Sequence, residues 1–518
     1  MSKRENGAGM VGFIFGAIVL SKLLGLLRGS AVALFYGTGY VASAYSMASQ
    51  LPVNFFDMIL GSAVSSAFIP VYNRFTQKEG IKRADIFASR FINLIVLITA
   101  FLSVIGVIFA PQIIGVMGSG LAPQAASLAT SLLRIMFPLV IFTGLAFTFV
   151  GILQSLGEFR IPAIMSIISN LVCIVYLFTL NKKFGIYGLA AALLAGWLMQ
   201  YIILIYPAKK RGFTYSLKSG LIDDGFKNVA KLALPVLLAS WVQPINTMVN
   251  ISIASGIGSG SGIAVLDYAN KLYIIAASAF SMAVTNYIFP KLSRLGSLED
   301  RGKWSETLAK SIRVVLFAVI PIMIIFLISG EDIIRIIYGR GKFDEHSVNM
   351  TSSVLRFYSL GMVWFALQEV FNKAFYSVMD SKTPVISAVG GIIINVTLCY
   401  ALSPKMGIEG LALAASIAAF SSSIFSFFIL KKKIGREINF GIIKLILAGI
   451  LSGISAYFAR RTGLSFIETE SFIHTVGLLI FTAGCGMVVF VGSAFILKIK
   501  ETEKIKAIFK SLLKSPKE

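Results

Sequence analysis

Charge is scarce in this sequence: 14% of its 518 residues are Asp, Glu, Lys or Arg, while 56% are hydrophobic. An ordinary soluble domain carries about 25% charged residues, so this chain is built for lipid rather than water. Acids are the scarcer sign, 24 against 47 bases, which leaves a net charge of +23. Histidine is limited to His346 and His474, both at or beyond the outer margins of the predicted spans. The three cysteines, Cys173, Cys399 and Cys485, lie in apolar runs and show neither a disulfide framework nor metal-ligand spacing. They read as packing residues. These shortages exclude a disulfide scaffold, a zinc centre and a His- or Cys-based catalytic site. No nucleophile motif stands in their place, so an enzyme is not expected, and neither a cofactor nor a metal is called for.

What the sequence has is a succession of apolar runs. Each is long enough to cross a hydrocarbon core of roughly 30 Å as a helix. Fourteen spans fall at roughly 10–36, 41–72, 91–116, 128–155, 162–180, 186–207, 226–254, 263–289, 312–328, 350–378, 383–402, 408–430, 441–459 and 472–497. The first run follows Lys3 and Arg4 as a signal peptide would, but it is too long and has no small-residue cleavage site. It is read as a retained span. The predicted fold class is therefore all-α and polytopic.

The excess of positive charge is patterned along the chain and does not point to nucleic acid. With the N-terminus in the cytoplasm, the even-numbered junctions hold the basic clusters, among them Lys82/Arg83, Lys209/Lys210/Arg211/Lys218, Lys291/Arg294/Arg301/Lys303, Lys431/Lys432/Lys433/Arg436 and the Lys-rich tail. The odd junctions are nearly bare except for Lys182/Lys183, Arg335/Arg340/Lys342, Lys405 and Arg460/Arg461. Basic loops stay on the cytoplasmic side, which predicts a multi-pass protein of a cytoplasmic membrane with both termini inside.

An internal repeat organises the spans. Arg134…Pro162 recurs as Arg356…Pro384 at an offset of 222, and the same offset relates Gly185-Ile186 to Gly407-Ile408, Gly188-Leu189 to Gly410-Leu411 and Lys209-Lys210-Arg211 to Lys431-Lys432-Lys433. Ala67-Phe68-Ile69-Pro70 pairs with Tyr287-Ile288-Phe289-Pro290 at 220. Spans 1–6 and 7–12 are thus two six-helix copies of the same orientation, with spans 13 and 14 added. The predicted domains are 1–211, 212–436 and 437–518. Two parallel bundles enclosing a site that opens to either side by rocking make a transporter architecture.

Ionisable side chains inside spans cost a few kcal/mol each and need a partner or a wet cavity. Glu369 and Lys373 stand four apart, as a helical ion pair does. Arg134 and Arg356 lie near span ends, from which they can snorkel. Lys22, Arg28 and Lys271 are harder to place. Asp267 stands one turn before Lys271, near enough to neutralise it, whereas no carboxylate is close in sequence to Lys22 or Arg28. Together the three offer phosphate oxygens a cationic surface, Arg as a planar fork and Lys as a point charge. An anionic cargo is expected.

Ser21-Lys22-Leu23-Leu24-Gly25-Leu26-Leu27-Arg28, Leu51-Pro52 and Ala67-Phe68-Ile69-Pro70-Val71 resemble the signature of the MurJ (MviN) family of lipid II flippases in the MATE-like superfamily. Arg134…Phe137-Pro138, Phe159…Pro162…Asn170 and Phe375-Tyr376…Asp380…Lys382-Thr383-Pro384 extend the likeness over essentially the whole chain. The resemblance implies fourteen helices in a V-shaped pair of lobes, a cationic cavity for a pyrophosphate, and a groove from spans 13 and 14 for a polyprenyl tail. It also implies substrate-binding roles for Lys22, Arg28 and Lys271, with Asn270 and Ser43 standing where acids are common. Gly29 likewise replaces an acid, and Phe56 replaces a span-2 arginine. Asn250 falls where some members place a sodium-site carboxylate, so Asn250 and Asn395 are the candidate cation site, for coupling to sodium or to the membrane potential.

The expected activity is outward flipping of an undecaprenyl-pyrophosphate-linked peptidoglycan precursor by a monomer. The alternatives are a flippase for another lipid-linked oligosaccharide and a MATE-type cation or drug antiporter. The antiporter would want acids in its cavity, where this chain has bases.

Overall fold

A computed structural model describes residues 2–58, 67–217, 220, 221, 225, 226, 229, 241–297, 301–434, 442–466, 471–499, 501 and 502. Every regular element among them is helical. In chain order the α-helices are α1 (Ser2–Tyr36), α2 (Tyr40–Phe56), α3 (Ile69–Glu79), α4 (Ile81–Ile108), α5 (Ala110–Met117), α6 (Pro123–Met136), α7 (Leu139–Ser155), α8 (Arg160–Thr179) and α9 (Asn181–Lys210). They continue with α10 (Val242–Ser255), α11 (Gly262–Ser297), α12 (Arg301–Ile337), α13 (Glu345–Ser359), α14 (Met362–Ser377), α15 (Lys382–Met406), α16 (Ile408–Ile434), α17 (Ile442–Phe466) and α18 (Phe472–Ile496).

Among the described residues ten helices are long and apolar enough to cross a membrane, and α6 with α7, bent by 40°, makes an eleventh span. Three of the fourteen expected spans are left. Spans 41–72 and 226–254 include residues 59–66 and most of 222–240, which lie outside the described residues, as do Lys218, Arg436, the 436/437 boundary and the tail beyond residue 502. Span 350–378 is two shorter helices, α13 and α14, of 15 and 16 residues. The chain is thus an all-helical, multi-pass membrane protein.

The repeat seen in the sequence is also a repeat of backbone geometry. Gly185 has φ 56° and ψ −147°, and Gly407, 222 residues later, has φ 61° and ψ −137°. Both lie in the left-handed half of conformational space, where only glycine is at ease. The break between α6 and α7 at Phe137-Pro138 recurs between α13 and α14 at Leu360-Gly361. In the first copy Pro138 supplies no N–H and interrupts the ladder. The second copy has no proline there. Its break is held by Ser416, whose hydroxyl donates to the released Phe357 carbonyl at 2.6 Å, while a Cβ on Gly361 would lie 2.8 Å from the Ser416 Oγ.

In space the chain forms two compact units, Met1–Ala264 and Val265–Glu518. In the first, α1 packs along α8, α2 along α6, and α7 against α4 and α9. The first unit also takes α10, the start of the second sequence copy, which packs on α5 and α2. Gly120 permits this approach, because a Cβ there would lie 2.2 Å from the Gly256 Cα. In the second unit α12 is the hub and touches α13, α14, α17 and α18.

Candidate functional site

The α1–α8 pair fixes where the first-unit cations stand. Ser21 Oγ is 2.6 Å from Ser166 Oγ, the Arg28 guanidinium hydrogen-bonds the buried Cys173 thiol, and the Tyr36 hydroxyl donates to Asn181. Each of these pairs is 145 residues apart, which describes two parallel helices in register. Phe35 meets Phe178 edge-on at 5.6 Å. Arg28 therefore lies on the α8-facing side of α1. Lys22, one residue after Ser21, is turned about 100° from that side. Both side chains are half-buried, and Cys173, read from the sequence as packing, is buried against the guanidinium.

Ser43 is buried, and its Oγ accepts from the Ala264 N–H at 3.1 Å. It satisfies a donor in the first turn of α11 that has no partner within the helix. Lys271 Nζ lies 2.6 Å from Asp267 Oδ2, so the neutralising pair anticipated from the sequence is formed. The Lys271 side chain is 40% exposed against 12% for Asp267, which leaves the ammonium room for a further partner. Asn270 is half-buried on the same helix. Asn250 is half-buried on α10 in the first unit, and Asn395 is buried on α15 in the second, with the Cys399 Sγ 3.7 Å from its Oδ1. Among the described residues no group of three His, Cys, Asp or Glu side chains is arranged to hold a metal. Lys373 places its ammonium 5.3 Å from the centre of the Phe289 ring. Phe56, where the family signature has an arginine, is buried and stacks on Phe147 at 6.0 Å.

Three arrangements escaped the sequence reading. At one end of α12, Arg460 of α17 grips buried Asp332 with two bonds of 2.8 and 3.1 Å. Beside it Glu331 takes Arg335 at 3.0 Å, Arg460 at 3.5 Å and Arg356 at 3.7 Å. Arg335 also reaches Glu345 at 2.6 Å. Arg335 and Arg460 are among the bases that broke the loop charge pattern, and their pairing here shows why they are tolerated. That exception was the available signal. The second arrangement is a polar junction of α14, α15 and α16, in which Gln368 Nε2 donates to Asn372, Ser387 and Ser426 at 3.0–3.3 Å.

The third is a pair of clasps. Arg211 binds Glu158 in the first unit and Lys433 binds Asp380 in the second, and both members are related by the repeat offset of 222. Burial opposes ionisation of Asp380, but the Lys433 ammonium and the Thr383 hydroxyl and N–H outweigh it and hold the carboxyl down to about 2. Glu158 is lowered in the same way, its partial burial outweighed by the Arg160 N–H and Arg211. Each clasp ties the turn after the fourth span of its copy to the end of the sixth. Applying the offset to Glu158 and Arg211 would have found the second clasp.

Between α12 and α17 runs an apolar cavity of about 330 Å³, lined by Ile324, Leu327, Ile328, Ile454, Tyr457 and Phe458. Its lining is apolar, the chemistry a hydrocarbon chain requires.

The family model for "Lipid II flippase MurJ" matches residues 32–481. A probable lipid II flippase MurJ of Bdellovibrio bacteriovorus is 28% identical over 501 residues, covering 94% of each chain. The lipid II flippase MurJ of Burkholderia cenocepacia is 26% identical over 428 residues, 81% of this chain and 83% of its own. Among solved structures, a lipid II flippase MurJ in an inward closed conformation superposes with TM-score 0.79 at 27% identity, covering 93% of this chain and 98% of the other. An inward-facing multidrug resistance MATE transporter of the MOP superfamily shares the fold with TM-score 0.70 at 16% identity, over 80% of this chain and 94% of its own. With the match running over both sequence copies and into α18, this chain belongs to the MurJ family of lipid II flippases.

Proposed function

We propose that the protein carries lipid II from the inner to the outer leaflet of a bacterial cytoplasmic membrane by alternating access, with both termini in the cytoplasm. The observation that carries this reading is the family match across residues 32–481. The chemistry of the chain supports it. Lys22, Arg28 and Lys271 supply donors to pyrophosphate oxygens, Asn270 lies beside Lys271, and Ser43 positions the start of α11. The cavity between α12 and α17 suits the polyprenyl tail. A membrane potential negative inside favours outward movement of the anionic headgroup by about 2.3 kcal/mol per charge for each 100 mV. The potential is thus one driving force for transport, and sodium at Asn250 or Asn395 is a second. The chain acts as a monomer and performs no covalent chemistry on its cargo.

Expression of the chain in bacteria depleted of their own lipid II flippase tests this reading. Restored growth and cell shape is the expected result. Lysis despite verified membrane insertion would reassign the cargo to another lipid-linked oligosaccharide.

A further inference from the structure

We propose that a pocket formed by the ends of α11, α12, α14 and α16 binds the phosphate headgroup of an anionic glycerophospholipid. The cavity has a volume of about 390 Å³ and lies wholly within the second unit. Leu295, Val378 and Leu430 form its apolar wall, Trp304 its aromatic floor, and Arg301 and Lys433 its cationic rim. Gly296 lets the end of α11 come close enough to shape it, since a Cβ there would lie 2.6 Å from the Ser377 carbonyl oxygen. The Trp304 indole N–H donates to the Ser377 hydroxyl at 3.0 Å, which fixes the buried ring where it lines the pocket. Lys433 already serves Asp380, so it contributes a shared charge. Arg301, exposed at the first position of α12, contributes the planar fork that matches phosphate oxygens.

The two halves of the pocket select its occupant. A free anion would leave the leucine wall without a partner, and a zwitterionic lipid would bring its own cation against Arg301 and Lys433. A glycerophospholipid with a net negative headgroup satisfies both halves, its phosphate on the rim and an acyl chain along the wall. Surrounding charge agrees: residues 291–303 hold four bases against two acids, and Lys431 and Lys432 adjoin Lys433. Basic pockets between spans at the cytoplasmic face are the usual seats of anionic lipids. Assignment of this pocket to the cytoplasmic side rests on the orientation proposed above, whereas the binding does not, because the assay below presents the lipid in both leaflets. A bound lipid would bridge the ends of four helices and stiffen the second unit near its Asp380–Lys433 clasp.

The test uses the full chain with Trp197, Trp241 and Trp364 replaced by Phe, so that Trp304 is the sole tryptophan and is excited selectively over the tyrosines. The protein is placed in phosphatidylcholine nanodiscs containing increasing amounts of phosphatidylglycerol brominated near the headgroup. Quenching of Trp304 at a low fraction of brominated phosphatidylglycerol, but not of brominated phosphatidylcholine, is expected. Arg301→Gln should raise the phosphatidylglycerol needed for half-quenching roughly tenfold, the loss of one charge-assisted hydrogen bond. Lys432→Gln, which removes the same charge outside the pocket, should raise it far less, since only the general attraction of the surface is reduced. Native mass spectrometry of the wild-type and Arg301→Gln proteins, counting retained phosphatidylglycerol, gives the same comparison without the tryptophan changes. Equal quenching by the two lipids, equal effects of the two substitutions, or relief of quenching by inorganic phosphate would each overturn the proposal.

Discussion

Single side chains show how a membrane protein keeps charge in an apolar setting. An ion within a span must be paired or wetted, and the three cations differ in how they manage it. Lys271 is held by Asp267, and Arg28 lies against the Cys173 thiol. Replacing Lys22 or Arg28 by Gln should lower lipid II transport at least tenfold at unchanged abundance, since each loss removes a charge-assisted hydrogen bond of about 1.5–3 kcal/mol. Lys22→Arg and Lys271→Arg should be tolerated, while Arg28→Lys should be only partly active because a point charge cannot make a two-pronged contact. Lys271→Gln has two effects, as it also removes the ammonium paired with Asp267. Abundance should fall in that variant and recover in Asp267→Asn/Lys271→Gln, while transport stays low in both; transport regained along with abundance would reduce Lys271 to a structural ion. All three cations were legible because a base inside an apolar run is an outlier in one dimension. The capping role of Ser43 was not, since its partner Ala264 is 221 residues away.

At the scale of helices, the offset of 222 pairs Gly185 with Gly407 in the sequence, whereas the breaks near Pro138 and Leu360 fall inside what read as two unbroken spans, 128–155 and 350–378. Glycine leaves a sign in sequence because its φ above zero has few substitutes. The second break leaves none, because Ser416 on another helix fixes it. Likewise, the addition of α17 and α18 to the twelve-span repeat was readable, but their attachment was not. That attachment is Arg460 on Asp332, helped by close packing, for a Cβ on Gly449 would lie 2.8 Å from the Ile320 side chain. Arg460→Ala leaves a buried carboxylate uncompensated and should destabilise the protein by about 3–5 kcal/mol. Asp332→Asn/Arg460→Leu should recover much of that loss in a detergent unfolding assay. A neutral effect of Arg460→Ala would mean that the hairpin is held by apolar packing alone.

For the whole molecule, orientation and direction of transport are linked. The orientation proposed above, with basic junctions on the cytoplasmic side, puts residues 209–211 and 431–433 inside and residues 117–127 and 255–262 outside. An impermeant thiol reagent applied to intact cells should therefore label Ser259→Cys and spare Lys210→Cys. The reverse pattern would invert the topology and with it the direction assigned to flipping. The outward passage of an anionic lipid is the central claim. Its most direct test is leaflet exchange in proteoliposomes that hold the purified chain, fluorescent lipid II and a potassium gradient that sets the potential with valinomycin. The account predicts that a membrane-impermeant quencher reaches lipid II from the inner leaflet faster than in empty vesicles. It also predicts that a potential favouring outward movement of the anion increases the rate, and that Lys22→Gln/Arg28→Gln abolishes the acceleration. Exchange no faster than in empty vesicles, with the protein folded and inserted, would contradict it.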